Sequence, residues 1–179
     1  MGEERPLRIL FVCLGNIIRS PLAAALFRKM AQERGVAHKY EVDSAGLGPW
    51  HVGEPADPRM RRVAAKHGVV YDEHRARLLR KDDLATFDLI LVMDRDNWAR
   101  IMSIASLNPE HRAKIRLLRE FDPEGGPNAE VPDPYYDGVE DFERVYRIVE
   151  RSVAGLLDAL EARRVPLAGG ASRDPGDGT

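Results

Sequence analysis

The sequence predicts an α/β fold, a three-layer α/β/α sandwich in which helices cover both faces of a mostly parallel sheet. Two observations predict it. Short apolar, β-rich runs alternate with stretches whose apolar residues recur at helical spacing, and the runs lie too far apart for hairpins, so crossover connections must join them. The last stretch is the clearest helix, with Phe142, Val145, Val149, Val153, Leu156 and Leu160 on one face.

In chain order, Leu7 to Cys13 reads as the first strand. Ser20-Pro21 then opens a helix carrying Leu22, Ala25, Leu26 and Met30 that stops at Gly35. Tyr40 to Ala45 is the second strand, and Asp57-Pro58 starts a helix with Met60, Val63 and Ala64 that ends at Gly68. Asp88 to Met93 is a strongly apolar third strand. Asp94 is placed to cap a helix through Ile101 and Ile104, and Ile115 to Leu118 is the fourth strand. Residues 120–138 read as a long loop, which in a compact domain usually signals function. No repeat is visible. Residues 1–164 are expected to form one domain, and Val165 to Thr179, rich in Gly, Pro, Ala and Asp, reads as a disordered tail.

The chain has 179 residues, with 27 Lys and Arg against 29 Asp and Glu. A net charge of −2 gives no global attraction to nucleic acid or anionic lipid, so neither is expected as a partner. No apolar run approaches the ~18 residues that span a bilayer, and the polar start resembles neither a secretory nor a lipidation signal, so the expected location is the cytoplasm. Cys13 is the only cysteine. A lone thiol is ordinarily a small buried hydrophobe, and its neighbours decide whether it is more.

Those neighbours are Leu14, Gly15, Asn16, Ile17, Ile18, Arg19 and Ser20, so five residues separate the cysteine from an arginine in the loop after the first strand. Ligands of such sheets bind at the carboxyl ends of strands. Successive N–H groups in a loop of this length can converge on an anion, and the following helix adds its positive end. Gly15 and Asn16 suit the loop because they enter left-handed conformations readily. The planar fork of Arg19 can hold two phosphate oxygens. A cysteine beside an arginine at a helix N-terminus is a reactive nucleophile, and Ser20 can donate to its sulfur while also capping the helix. By chance, Arg at this spacing followed by Ser or Thr occurs for under ~1% of cysteines. A nucleophile at the bottom of a phosphate cradle attacks phosphorus.

Departure of an alcohol or phenol then needs a proton, and Asp133, held between Pro132 and Pro134 in the long loop, is the candidate acid. On its own such an aspartate is usually only a turn residue. Trp50, Tyr135 and Tyr136 could wall a slot for an aromatic ring, or pack in the core. His38, His51, His67 and His111 show no metal-ligand spacing and are assigned nothing. Arg59, Arg61, Arg62, Arg75, Arg77 and Arg80 could steer anionic substrates, although a solvated basic face is the commoner reading.

Taken with Asp43-Ser44-Ala45-Gly46, Trp50, Val52-Gly53, the run His74 to Arg77, Met93-Asp94 and Asp133 to Tyr136, the loop resembles the low-molecular-weight protein tyrosine phosphatase family over about Leu7 to Leu160. The resemblance implies a four-stranded parallel sheet of the flavodoxin-like, phosphatase I type, no metal and no organic cofactor. It implies hydrolysis of phosphotyrosine in proteins through a phosphocysteine, with Cys13 as nucleophile, Arg19 binding phosphate and Asp133 as acid. Ile17, Trp50, Tyr135 and Tyr136 would form the substrate pocket, and Asn16, Ser44 and His74 the polar support of the phosphate loop. It also implies inhibition by phosphate-like oxyanions and marks Tyr135 or Tyr136 as a target of a tyrosine kinase.

Related activities fit less well. Arsenate reduction on this fold relays electrons through further cysteines, and this chain has none. Relatives that hydrolyse phosphoarginine carry a threonine where Ile17 stands. Rhodanese-type sulfur transfer has no use for Asp133, and a phosphate-binding module needs neither nucleophile nor acid. Many relatives also have a second cysteine where this chain has Ile18.

Overall fold

The computed structural model describes residues 5–105 and 108–167. Four strands, β1 (Leu7–Cys13), β2 (Tyr40–Gly46), β3 (Leu89–Val92) and β4 (Ile115–Leu117), form one sheet in the order β2-β1-β3-β4. Every pairing is parallel, with Cys13 opposite Gly46 at the carboxyl edge and Val12 opposite both Ala45 and Val92. The helices are α1 (Arg19–Glu33), α2 (Pro58–Lys66), α3 (Asp83–Thr86), α4 (Arg95–Ala105), α5 (Pro109–Ala113) and α6 (Val139–Glu161).

Side chains alternate across a strand, and β1 feeds two cores accordingly. Ile9, Phe11 and Cys13 face a large cluster shared with α1, α2 and α6, whereas Leu10 and Val12 face a smaller one closed by Leu84, Ile101 and Ala105. Both faces of the sheet are therefore covered, the three-layer arrangement expected. The periodic residues of α6 from Phe142 to Leu156 are all fully buried.

Differences from the expected elements are local. Helix α1 begins one residue early, at Arg19, and has no side-chain cap. Ser20 does not cap it, because its hydroxyl is drawn into the loop described below. The short helices α3 and α5 were not anticipated, since four or five residues carry too little periodicity to register. Asp94 does cap α4, accepting from the Asn97 N–H at 2.7 Å. Of the tail expected at 165–179, Val165 and Leu167 rest against the larger core, and 168–179 lie outside the described residues. Among the described residues, no helix is long and apolar enough to cross a membrane.

From β1 the chain crosses to β2 on one side and later returns to β3 on the other. That reversal opens a crevice beyond the carboxyl end of β1. Cys13 stands at its edge.

Candidate active site

Residues 14–18 form a run of bends between β1 and α1. The carbonyls of Cys13, Leu14, Asn16 and Ile17 are held by groups outside the loop. Leu47 N–H donates to the Cys13 and Leu14 carbonyls, Gly48 N–H to Leu14, Asp57 N–H to Ile17 at 2.8 Å, and His74 Nε2 to Asn16 at 2.8 Å. In a trans peptide the N–H points opposite to the C=O, so the N–H groups of residues 14, 15, 17 and 18 face the loop's interior. None of them meets an acceptor among the described residues. Converging, unpaired donors at a helix N-terminus make an anion site.

Asn16 supplies the sharp turn, with φ of 58°, and its side chain organises the rest. Its Nδ2 donates to Ser20 Oγ and Ser44 Oγ, and its Oδ1 accepts from Arg77 N–H. Gly15, by contrast, does not have positive φ; a Cβ there would lie 3.1 Å from the His51 ring, so close approach is what favours glycine. Gly46 has a similar reason, since a Cβ on it would press on Asn16 and Gly15.

Cys13 Sγ lies 3.0 Å from Ser20 Oγ at the floor of the loop, and both residues are buried. Arg19 is 2% exposed, and its Nη1 donates to Asp94 Oδ2 at 2.8 Å and to the Val131 carbonyl at 2.9 Å. Burial works against its charge, but Cys13, Asp133 and Asp94 outweigh it and hold the guanidinium above its usual pKa. Nη2 reaches Asp133 Oδ2 only at 3.5 Å, so the Nε–Nη2 edge of the fork remains for a ligand. Asp133 itself is turned by its own loop, Oδ1 accepting from Tyr135 N–H at 3.1 Å. His74 is held below its usual pKa of 6.5 by burial, opposed by its bond to Asn16 and by Asp43. The neutral ring carries its proton on Nε2, the atom that must donate.

A cleft of about 440 Å³ opens over this floor, lined by Cys13, residues 14, 15 and 17–19, Trp50, His51, Asp133, Tyr135 and Tyr136. Every residue expected at the catalytic site and pocket is thus brought to one place, with Asn16, Ser44 and His74 in contact beneath or beside it. Of the three aromatic walls, Trp50 is 62% exposed and Tyr136 93%, whereas Tyr135 is half-buried and also packs against the larger core. Sequence reasoning missed His51, whose Nδ1 meets Glu54 Oε1 at 3.0 Å and whose ring packs near Tyr135. Its only signal was adjacency to Trp50. It also missed that Asp94 pairs with Arg19, and that Arg59 and Arg77 are engaged in ion pairs rather than simply solvated. Among the described residues, no group of three or more His, Cys, Asp or Glu is arranged to hold a metal.

The geometry is that of a nucleophilic site for a phosphate monoester, and comparison with known proteins agrees. Residues 8–165 match the family model for low molecular weight phosphotyrosine protein phosphatase. The chain is 44% identical over 156 residues to a low molecular weight protein-tyrosine-phosphatase of Streptomyces coelicolor, covering 86% of this chain and 93% of that one. It is 39% identical over 160 residues to a low molecular weight phosphotyrosine protein phosphatase of Sus scrofa, covering 89% and 99%. A crystal structure of a protein tyrosine phosphatase from Entamoeba histolytica, with Hepes in its active site, superposes with a TM-score of 0.82 at 37% identity, covering 88% of this chain and 99% of that one. The chain belongs to the low molecular weight phosphotyrosine protein phosphatase family.

Proposed function

We propose that the chain hydrolyses phosphotyrosine in proteins, and small aryl phosphates, through a phosphocysteine on Cys13. The observation that carries this reading is the placement of Cys13 Sγ beneath inward-facing N–H groups, beside Arg19, with Asp133 at the mouth. The phosphate dianion sits on the loop and the free edge of Arg19. The Cys13 thiolate attacks phosphorus as the P–O bond to the phenol breaks, and protonated Asp133 gives its proton to the leaving oxygen. The Asp133 carboxylate then takes a proton from water as that water attacks phosphorus and the thiolate departs. Arg19 and the N–H groups stabilise the charge on the equatorial oxygens in both steps.

Ile17 and the aromatic walls favour a phenyl ring over a charged guanidinium, so phosphotyrosine is preferred to phosphoarginine as substrate. Phosphate-like oxyanions would occupy the same cradle and inhibit. The exposed Tyr136 ring is open to a tyrosine kinase, and Tyr135 is the less accessible of the pair. The cytoplasmic location rests on the chemistry of a free nucleophilic thiol, which persists where thiols are kept reduced. The catalytic unit is the domain read as 1–164. The test is phosphate release from a phosphotyrosine peptide and a phosphoarginine peptide: wild type should favour the first, and Cys13→Ser and Arg19→Ala should abolish turnover. Turnover retained by Cys13→Ser would contradict the mechanism.

A further inference from the structure

Arg59 follows the cap of α2 but serves two loops. Its Nε and Nη2 donate to Asp57 Oδ1 and Oδ2 at 3.1 and 2.8 Å, and its Nη1 donates to the Tyr135 carbonyl at 3.0 Å. The guanidinium also lies over the rings of Phe142, at 4.5 Å, and Tyr135, at 5.5 Å. Asp57 is 7% exposed, accepts from Arg59 N–H as the cap, and sends its own N–H to the Ile17 carbonyl in the phosphate loop. Two residues therefore connect the phosphate loop to the loop that carries Asp133.

We propose that Arg59 is a positioning residue that latches the Asp133 loop over the phosphate loop, with Asp57 as its anchor. The inference rests on Asp133 being the general acid. Residues 131–137 are tied at their start, where Val131 N–H donates to Met93 and its carbonyl accepts from Arg19. Beyond Pro134 the tie is Arg59. Tyr135 is the residue on which both halves meet: its N–H holds Asp133 Oδ1, leaving Oδ2 toward Arg19, and its carbonyl is held by Arg59. Freeing that carbonyl releases the residue that orients the acid and, with it, one wall of the cleft. All three Arg59 nitrogens are engaged within the protein, so a direct role in binding phosphate is not required of it. Asp57 retains its charge for the same reason: burial opposes ionisation, but the Arg59 bonds outweigh it and hold the carboxyl below its usual pKa.

The experiment compares kcat/KM for phenyl phosphate, whose leaving group needs a proton, with that for 4-nitrophenyl phosphate, whose leaving group needs it less. The variants are Asp133→Asn, Arg59→Met, Arg59→Lys and the double variant Arg59→Met with Asp133→Asn. A small misplacement of a catalytic group costs up to about 100-fold. Arg59→Met should lose about tenfold or more on phenyl phosphate and less than about threefold on 4-nitrophenyl phosphate. Arg59→Lys, which keeps charge but not the fork, should fall between wild type and Arg59→Met. In the Asp133→Asn background, Arg59→Met should cause no further selective loss. Thermal melting and the rate of Cys13 alkylation by iodoacetate establish that the fold and phosphate loop are intact, and Arg59→Lys provides the comparison if Arg59→Met melts. Equal losses on the two substrates, no loss, or a selective loss that persists without Asp133 would each overturn the latch. An Asp133→Asn variant with no leaving-group selectivity would instead overturn the acid assignment, and the latch's catalytic role with it.

Discussion

Ser20 Oγ lies 3.0 Å from Cys13 Sγ while accepting a 2.8 Å bond from Asn16 Nδ2. The Ala45 carbonyl, a competing acceptor, is 3.5 Å away, so the hydroxyl proton is best spent on sulfur. Sulfur gains negative charge when the phosphocysteine is hydrolysed. Ser20→Ala should therefore lower kcat by about tenfold or more, since a bond to a charged group contributes ~1.5–3 kcal/mol. Its kcat/KM should fall less, because the unassisted thiolate is also the more eager nucleophile. Acid-quenched samples should show phosphoenzyme accumulating; a uniform loss without accumulation would remove Ser20 from the second step.

Asp94 has two duties, capping α4 and pairing with Arg19. Asp94→Ala removes the cap of α4 and leaves the buried Arg19 guanidinium with one carboxylate fewer, so the variant should unfold at lower urea and bind inorganic phosphate more weakly. Asp94→Asn can still accept from the Asn97 N–H and should recover part of the stability. Urea titrations alongside phosphate inhibition constants separate the duties. If both variants match wild type in both measurements, the Arg19–Asp94 contact is incidental.

His74 predicts a pH dependence. Burial holds its pKa below 6.5, so below that pH the unfolded chain binds more protons at this position than the folded one. The stability it contributes is present above 6.5 and is lost as pH falls through the depressed folded value. His74→Gln can donate to the Asn16 carbonyl without titrating. Between pH 7.5 and 5, the unfolding free energy of the variant should therefore change less than that of wild type. Parallel profiles would show that His74 does not titrate on unfolding in this range.

Oxidation is the fourth test. Cys13 is the chain's only cysteine and buried Ile18 precedes Arg19, so no disulfide can form within the chain to trap an oxidised nucleophile. Peroxide without added thiol should lead from sulfenic to irreversible sulfinic acid, with bound phosphate protecting. Ile18→Cys should restore recovery by dithiothreitol. Intact mass and regained activity report the outcome; full recovery of wild type without oxygen adducts would point to a sulfenamide instead.

The sheet was legible because its central strands β1 and β3 are apolar and its longer helices periodic, and the loop was legible because its spacing is local. Cys13, Arg19 and Ser20 needed no tertiary information. Ser20's expected cap failed because the helix begins one residue earlier, at Arg19, and the Ser20 hydroxyl oxygen accepts from Asn16 Nδ2 rather than from the helix's own N–H groups. Partners far apart in sequence were invisible: Asp94 lies 75 residues from Arg19, and Arg59 lies 76 from Tyr135. A charge pattern along the chain shows a basic face, and only the fold shows which of its members turn inward to a carboxylate or carbonyl.

Rapid acid quenching traps a covalent phosphocysteine if one forms on Cys13. Wild type mixed with a phosphotyrosine peptide should, within the first turnover, gain the mass of one phosphoryl group on the peptide containing Cys13. Asp133→Asn, which is slowed in hydrolysing that intermediate, should retain it longer. Turnover at an undiminished rate with no phosphoryl group ever found on Cys13, or with the group on another residue, would rule out Cys13 as the nucleophile.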